Sequence, residues 1–499
     1  MNKTYRALPY QHFANKGKLK IIDNLFYFYR QDAQRIFNYI WHKFLRIRTI
    51  LNQKENLKEC KVILSERYKY NIYTYVVYPT YLSFLENAKD YIVGLITKST
   101  LNDNDKLILY ILNRRGLWLN PPNELEVSKD NQVITLSVNQ EHKKLIKKLF
   151  HRYLATHRLP EFKNTPLIGD GKIMEFQKSK KSKHFEYWIR LSTNIKNKPI
   201  YIPIKETEYY KLKDGKDTSI FQFVKDDLGN IQLKRIKEIN AKENNGDNVL
   251  SLDFGLANLF ATDKGDLLGR RFYDKVKEYA DKIDKLQRNL QRQGIKPKES
   301  KRYIKLSFKL KEFVKNEIRR IINKLIRRYN PSIIVVENLK NFIQNVINQF
   351  PKTVKRTLIR IGRKEIKNKL NDISQEYGIQ VIEINPAYSS QACSNCGYID
   401  RENRKSQSEF ECRLCGKRVH ADVNASRNIL KRFEERVHLH SMKQALSWQV
   451  RKFLENLTTK RYKCLWSKAR SLLVSNVYFA NHSSLTQGID GYKRNKCLY

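Results

Sequence analysis

Apolar residues recur at spacings of three and four through much of the first third of the chain, as in Ala33, Ile36, Phe37, Ile40 and Phe44, and predict a helical lobe over residues 23–150. From about residue 158 to residue 239 the period shortens to two, in runs such as His184-Phe-Glu-Tyr-Trp-Ile-Arg-Leu191 and Lys198-Pro-Ile-Tyr-Ile-Pro-Ile204. Gly, Asp, Asn and Lys turns separate these runs, so the segment reads as a small β-barrel or sandwich. A polar, glycine-containing linker covers residues 241–248. Beyond it Asn248 to Gly269 reads as three short strands with a turn at Asp263-Lys-Gly265. A long basic helix with Val314, Ile318, Ile321, Ile322 and Leu325 on its apolar face then leads into Pro331-Ser-Ile-Ile-Val-Val-Glu337, a β-branched run typical of a strand buried on both faces. A second basic helix from about Val354 to Tyr377 precedes another strand, Gly378 to Ile384. Helical periodicity returns after Asp422 and again from Met442 to Leu454.

Charge narrows the functional classes. The 499 residues hold 97 Lys and Arg against 50 Asp and Glu, a formal net charge of +47, which points to a polyanionic partner and foremost to nucleic acid. No apolar run approaches the roughly 18 residues of a membrane span, and the N-terminus lacks the apolar region of a secretory signal, so a cytoplasmic protein with no membrane partner is expected. Basic residues flank the predicted strands: Lys301, Arg302, Lys305 and Lys309 before Glu337, and Arg356, Arg360, Arg363 and Lys364 after it, all candidates for phosphate contacts. The Lys178-Ser-Lys-Lys-Ser-Lys183 run reads as a solvated hairpin tip. Tyr73, Tyr75, Tyr78 and Tyr81 could stack on bases or pack helices together, and packing is favoured for any one ring.

Three carboxylates stand out by position. Strand alternation puts Leu250, Leu252 and Phe254 on one face and Asp253 on the other, beside Gly255, where a missing side chain would admit a ligand backbone. Glu337 ends a buried strand, and Asp422 opens a helix. The order of a three-strand meander, helix, strand, helix, strand and helix is that of an RNase H-like fold. Neighbouring strands and a packing helix would gather Asp253, Glu337 and Asp422, and two Mg²⁺ ions would neutralise the cluster for phosphodiester hydrolysis. Asp253-Phe-Gly255 also spells a kinase motif, but the Gly-rich loop and His-Arg-Asp loop of a kinase are missing.

Cys393-Ser-Asn-Cys396 and Cys412-Arg-Leu-Cys415, fifteen residues apart, have the spacing of a four-thiolate structural zinc site. Gly397 and Gly416 follow the two pairs, as expected for tight turns whose amides point at sulfur. A closed site of this kind leaves no position for substrate, so its expected role is to fix where Asp422 enters. Cys60, Cys464 and Cys497 are scattered, a pattern of a reducing compartment.

Ser251-Leu-Asp-Phe-Gly-Leu256, Ile334-Val-Val-Glu-Asn-Leu339, Tyr388 to Gly397 and Asp422-Val-Asn-Ala-Ser-Arg-Asn-Ile429 together resemble the TnpB proteins of insertion sequences and the related compact type V CRISPR effectors. The resemblance implies that Asp253, Glu337 and Asp422 are RuvC-type catalytic acids and that the cysteines form a target-nucleic-acid-binding zinc ribbon. It implies a multidomain α+β fold. In it residues 1–22 and 151–240 form a wedge-like β-barrel around the helical recognition lobe at 23–150, residues 249–386 and 418–435 form the RuvC-like nuclease domain, and 387–417 form the zinc-ribbon insert. It further implies an RNA-guided DNA endonuclease that binds a guide RNA, from a transposon end or a CRISPR array, and target DNA with a short flanking motif, as a monomer or homodimer. A nuclease-inactive RNA-guided repressor and a guide-independent nuclease or transposase stay open as alternatives. The motifs assign no role to the extension at 436–499.

Overall fold

The computed structural model describes residues 4–51, 57–129, 132–178, 184–244, 246–255, 258–338, 354–355, 358, 362–435 and 442–457. Two compact units divide the chain, Met1–Asn240 and Ala241–Tyr499.

In the first unit, strand β1 (Thr4–His12) leads into α1 (Lys16–Ile47), which starts ahead of the apolar periodicity because the Asn15 side chain accepts the Lys18 amide as an N-cap. Helices α2 (Glu66–Ile72), α3 (Tyr78–Thr97), α4 (Asp103–Arg115) and α5 (Gln140–Thr156) follow. The stretch between α4 and α5 is not helical as the sequence reading expects: β2 (Glu124–Lys129) and β3 (Gln132–Ser137) pair antiparallel as a hairpin. Strands β4 (Leu167–Gly169), β5 (Met174–Lys178), β6 (Tyr187–Leu191), β7 (Ile200–Glu206), β8 (Gly215–Lys225) and β9 (Ile231–Ile239), with the short α6 (Glu208–Lys211) between β7 and β8, join β1 in one sheet. Its order is β4-β8-β9-β1-β7-β6-β5. Edge strand β5 curls back onto β8 and β9, with the Phe176 and Phe221 rings stacked 6.1 Å apart and the Arg235 guanidinium 4.8 Å from Phe176, so the sheet is nearly closed and barrel-like. Helices and sheet share one continuous core. Tyr73 and Tyr81 are buried in it, and Tyr78 stacks on both, which is the packing role rather than an open base platform. The basic hairpin tip at 179–183 lies outside the described residues.

The second unit begins on a tethered segment: the Lys242 amide donates to the Glu376 carbonyl (2.9 Å), and Asn244 Nδ2 donates to the Pro331 carbonyl (2.8 Å). Strands β10 (Asn248–Phe254), β11 (Phe260–Thr262) and β12 (Leu267–Leu268) form the expected meander. Helix α7 (Phe272–Arg292) packs on α8 (Lys301–Tyr329), and α8 stops at Asn330, whose left-handed conformation (φ 40°) and following Pro331 end the helix and start β13 (Pro331–Glu337). Helix α9 (Arg363–Tyr377) ends at the left-handed Gly378 and feeds β14 (Gln380–Ile384). The sheet order is β12-β11-β10-β13-β14, with β10, β13 and β14 parallel. The apolar face predicted for α8 is fully buried against it. The chain then forms β15 (Glu409–Glu411), β16 (Arg418–His420), α10 (Ala421–Glu434) and α11 (Met442–Leu457). The chain is thus a mixed α+β, multidomain protein.

Candidate metal-dependent nuclease site

Parallel pairing sets Leu252 opposite Val336, so Asp253 and Glu337 emerge side by side at the carboxyl ends of adjacent central strands. The Phe254 amide donates to the Glu337 carboxylate. Helix α10 packs across β10, and a buried double lock fixes it there. Ser251 Oγ donates to the Ser426 carbonyl (2.6 Å), and Ser426 Oγ donates to the Ser251 carbonyl (2.9 Å). These serines lie two residues before Asp253 and four after Asp422, so the lock carries Asp422 to the strand ends. The face of β10 bearing Ser251 and Asp253 is therefore covered by the helix that supplies the third carboxylate.

The three acids sense one another. Burial first, then the charges of Glu337 and Asp422, push Asp253 well above the usual carboxylate range, opposed by the Arg404 guanidinium. Burial, offset by the Phe254 amide and reinforced by Asp422, pushes Glu337 up to about 7. Asp422, 6% exposed, accepts from Asn258 Nδ2 (3.3 Å) and from Arg404 Nη2 (3.4 Å), and the His420 ring lies 4.0 Å from it. The gap expected at Gly255 is not open to a ligand backbone: a Cβ there would sit 2.9 Å from the Asn258 carbonyl and 3.5 Å from the Asp422 carboxylate. Its small size admits the protein's own residues. Asn258, Arg404 and His420 are polar residues of this site that the sequence reading does not single out.

The four cysteines form a second centre. Their sulfurs all lie within 4.8 Å of one another, with Cys393 to Cys415 at 3.7 Å and Cys396 to Cys412 at 3.6 Å. A tetrahedron with zinc–sulfur bonds of about 2.3 Å has sulfurs about 3.8 Å apart, so the residues fit such an ion. Hydrogen bonding among the sulfurs pulls Cys415 down and pushes Cys396 up, the behaviour of a cluster that needs a cation before all four can ionise. The turn amides of Asn395 and Cys415 point at Cys393 and Cys412 sulfur (3.4 and 3.5 Å). The glycine amides do not: Gly397 and Gly416 donate to the Cys393 and Cys412 carbonyls (both 2.9 Å), and the glycines serve the turns through their left-handed φ of 84° and 69°. Among the described residues this quartet is the group of three or more His, Cys, Asp or Glu placed to hold a metal ion; the three carboxylates are not drawn together as tightly.

Of the basic candidates, Arg302, Lys305 and Lys309 line an open groove of about 510 Å³ between α8 and α7, joined by Lys282 and Lys285 from α7. Lys301 and Lys364 are exposed, and Arg363 is half-buried. Arg356 and Arg360 lie outside the described residues.

The second unit thus brings three acids from two parallel strands and a helix to one place, in the same unit as the four-cysteine module. Residues 230–341 match the OrfB family described as a probable transposase, and residues 364–429 match the family described as a Cas12f1-like TNB domain. The CRISPR-associated endodeoxyribonuclease Cas12f1 of Sulfoacidibacillus thermotolerans is 49% identical over 65 residues, 13% of this chain and 15% of that protein. InsQ of Escherichia coli (strain K12), named as a candidate RNA-guided DNA endonuclease, is 29% identical over 218 residues, 40% of this chain and 52% of that protein. This chain thus spans about half or less of the length of these curated relatives. A cryo-EM structure of a Cas12f1–sgRNA–target DNA complex is a distant likeness, with 14% identity and a TM-score of 0.40 over 86% of this chain and 98% of that one. The two matched segments and these relatives make the chain similar to the TnpB proteins and compact type V effectors.

Proposed function

We propose that this protein is an RNA-guided endonuclease that cleaves double-stranded DNA from one metal-dependent site, with Asp253, Glu337 and Asp422 as its catalytic acids. The observation that carries the reading is the convergence of these acids at the ends of β10, β13 and α10, with two carboxyl groups driven upward by burial and repulsion. The strand order, a meander followed by two parallel strands, supports an RNase H-like, RuvC-type domain. The three carboxylates would hold two Mg²⁺ ions, which when bound activate water and stabilise the leaving oxygen of a phosphodiester. The chain's own residues would do the rest. Asn258 and the Ser251–Ser426 lock hold Asp422 in place. Arg404 supplies a positive charge beside the acids, where a scissile phosphate would approach.

The four cysteines would hold one structural zinc, and the zinc ribbon would fix the approach to α10. The groove between α7 and α8 would take a nucleic-acid backbone. In this reading a guide RNA pairs with the target and supplies sequence readout, while the protein recognises a short flanking motif and the backbone. The names of the relatives support it. The test uses the guide-loaded protein and a matched plasmid. Asp253→Asn should lower cleavage by about a thousandfold or more, the loss of roughly 4 kcal/mol of transition-state stabilisation, while target binding stays near wild type. Cleavage at the wild-type rate would remove Asp253 from the site.

A further inference from the structure

The extension after residue 435 falls outside both matched family segments, yet α11 is built into the four-cysteine module. Val450 and Phe453 are fully buried in the apolar cluster that contains Cys393, Cys396 and Tyr398, and the Phe453 ring meets Tyr398 edge-on at 5.4 Å. Two side-chain amides reach the first Cys-x-x-Cys turn: Gln449 Nε2 donates to the Gly397 carbonyl (3.0 Å), and Asn456 Nδ2 donates to the Cys396 carbonyl (3.1 Å). On its other side the same turn is held by α10, where Asn424 accepts the Ser394 amide (2.9 Å) and donates to the Ala392 carbonyl (2.7 Å). The first turn is thus clamped between two helices.

The second turn is open where the first is covered. A Cβ added at Gly397 would sit 3.2 Å from Asn456 Nδ2 and 3.3 Å from Phe453 Cα, whereas one at Gly416 would meet nothing within 4 Å. Both glycines are left-handed, so the two turns share one backbone requirement and differ in the presence of α11.

We propose that α11 is the closing wall of the four-cysteine module and that Gln449 and Asn456 are positioning residues, holding the Cys396–Gly397 turn in the shape that retains the metal. The proposal rests on the zinc reading above. The carbonyls that the two amides satisfy belong to the backbone carrying the Cys396 thiolate. Without those bonds the turn relaxes toward water, and the thiolate is released more readily.

The experiment measures zinc transfer from the full-length protein to excess chromogenic chelator, with elemental analysis of the starting material and far-UV circular dichroism of each variant. Gln449→Leu/Asn456→Leu should lose zinc about 10- to 100-fold faster than wild type, the usual effect of removing partners around metal ligands. Arg451→Ala, on the exposed face of α11, should match wild type. Gly397→Ala should release zinc faster than Gly416→Ala, because both strain a left-handed turn but only the first also displaces α11. Should the double variant fail to fold, the glycine pair decides. Wild-type release from a folded double variant, or equal release from the two glycine variants, overturns the role of α11. A wild-type chain holding zinc in either case leaves the zinc reading standing; one that holds none overturns both.

Discussion

Glu337 is pushed up to about 7 from an ordinary 4.5, chiefly by burial, and Asp253 is pushed up as well. The folded chain without a divalent cation therefore keeps a proton on Glu337 that the unfolded chain has already lost. The stability this contributes is complete below about 4.5 and disappears as pH rises through about 7, because the folded state binds more protons across that window. Without added magnesium the melting temperature should fall from about pH 5 to about pH 8, Glu337→Gln should flatten the slope, and Mg²⁺ should restore stability at the upper end. A melting temperature that rises across this range would contradict the site's electrostatics. Arg404 works in the opposite sense, since it lowers Asp253. Arg404→Ala should move the acidic limb of the pH–cleavage profile to higher pH, and an unmoved limb would detach Arg404 from the acids. At this scale the three acids are legible as candidates by position: Glu337 ends a β-branched run, Asp253 faces away from the apolar side of its strand, and Asp422 opens a helix. Asn258 and Arg404 are not, since polar residues outside periodic stretches give no signal and only the fold brings them to Asp422, while His420 is simply its neighbour two residues back.

Between elements, the contact of α10 with β10 does most to place the site. Ser251 and Ser426 bury their hydroxyls completely and satisfy each other's backbone carbonyls. Replacing one leaves a buried polar group unpaired, which costs about 1–3 kcal/mol. Ser426→Val should lower the denaturation midpoint accordingly and reduce cleavage, although no acid is removed; full activity at unchanged stability would show that the lock is dispensable. Cys412→Ser should likewise release the metal and lower cleavage with all three acids intact, read as zinc content beside cleavage rate. The five strands of the central sheet and helices α8 and α9 are plain in the sequence because β-branched runs and long amphipathic periods alternate, whereas the short β15 and β16 lie among the cysteines with no such pattern. The β2–β3 hairpin is hidden for the opposite reason: two six-residue alternations lie between helical stretches whose longer period dominates any window across them. Nothing in the sequence pattern of α11 ties it to the cysteines, because Gln449 and Asn456 act through backbone carbonyls far away in the chain.

Over the whole molecule, the charge of +47 exceeds what one active-site groove requires. Basic residues occur in both units, and the groove between α7 and α8 concentrates five of them on one surface. In the proposed function, a long, folded RNA that stays bound would account for charge spread this widely, and its binding should weaken steeply with salt through counterion release. The most direct test of guided cleavage is to express the protein with its flanking locus, recover the RNA that co-purifies, and compare cutting by the RNA-bound and RNA-free protein on plasmids that do and do not match the RNA's variable end. The guided reading predicts a discrete noncoding RNA, Mg²⁺-dependent double-strand cleavage of the matched plasmid only, and a new target when the variable end is exchanged. Equal cutting of the same sites by RNA-free protein would contradict it and leave a guide-independent nuclease.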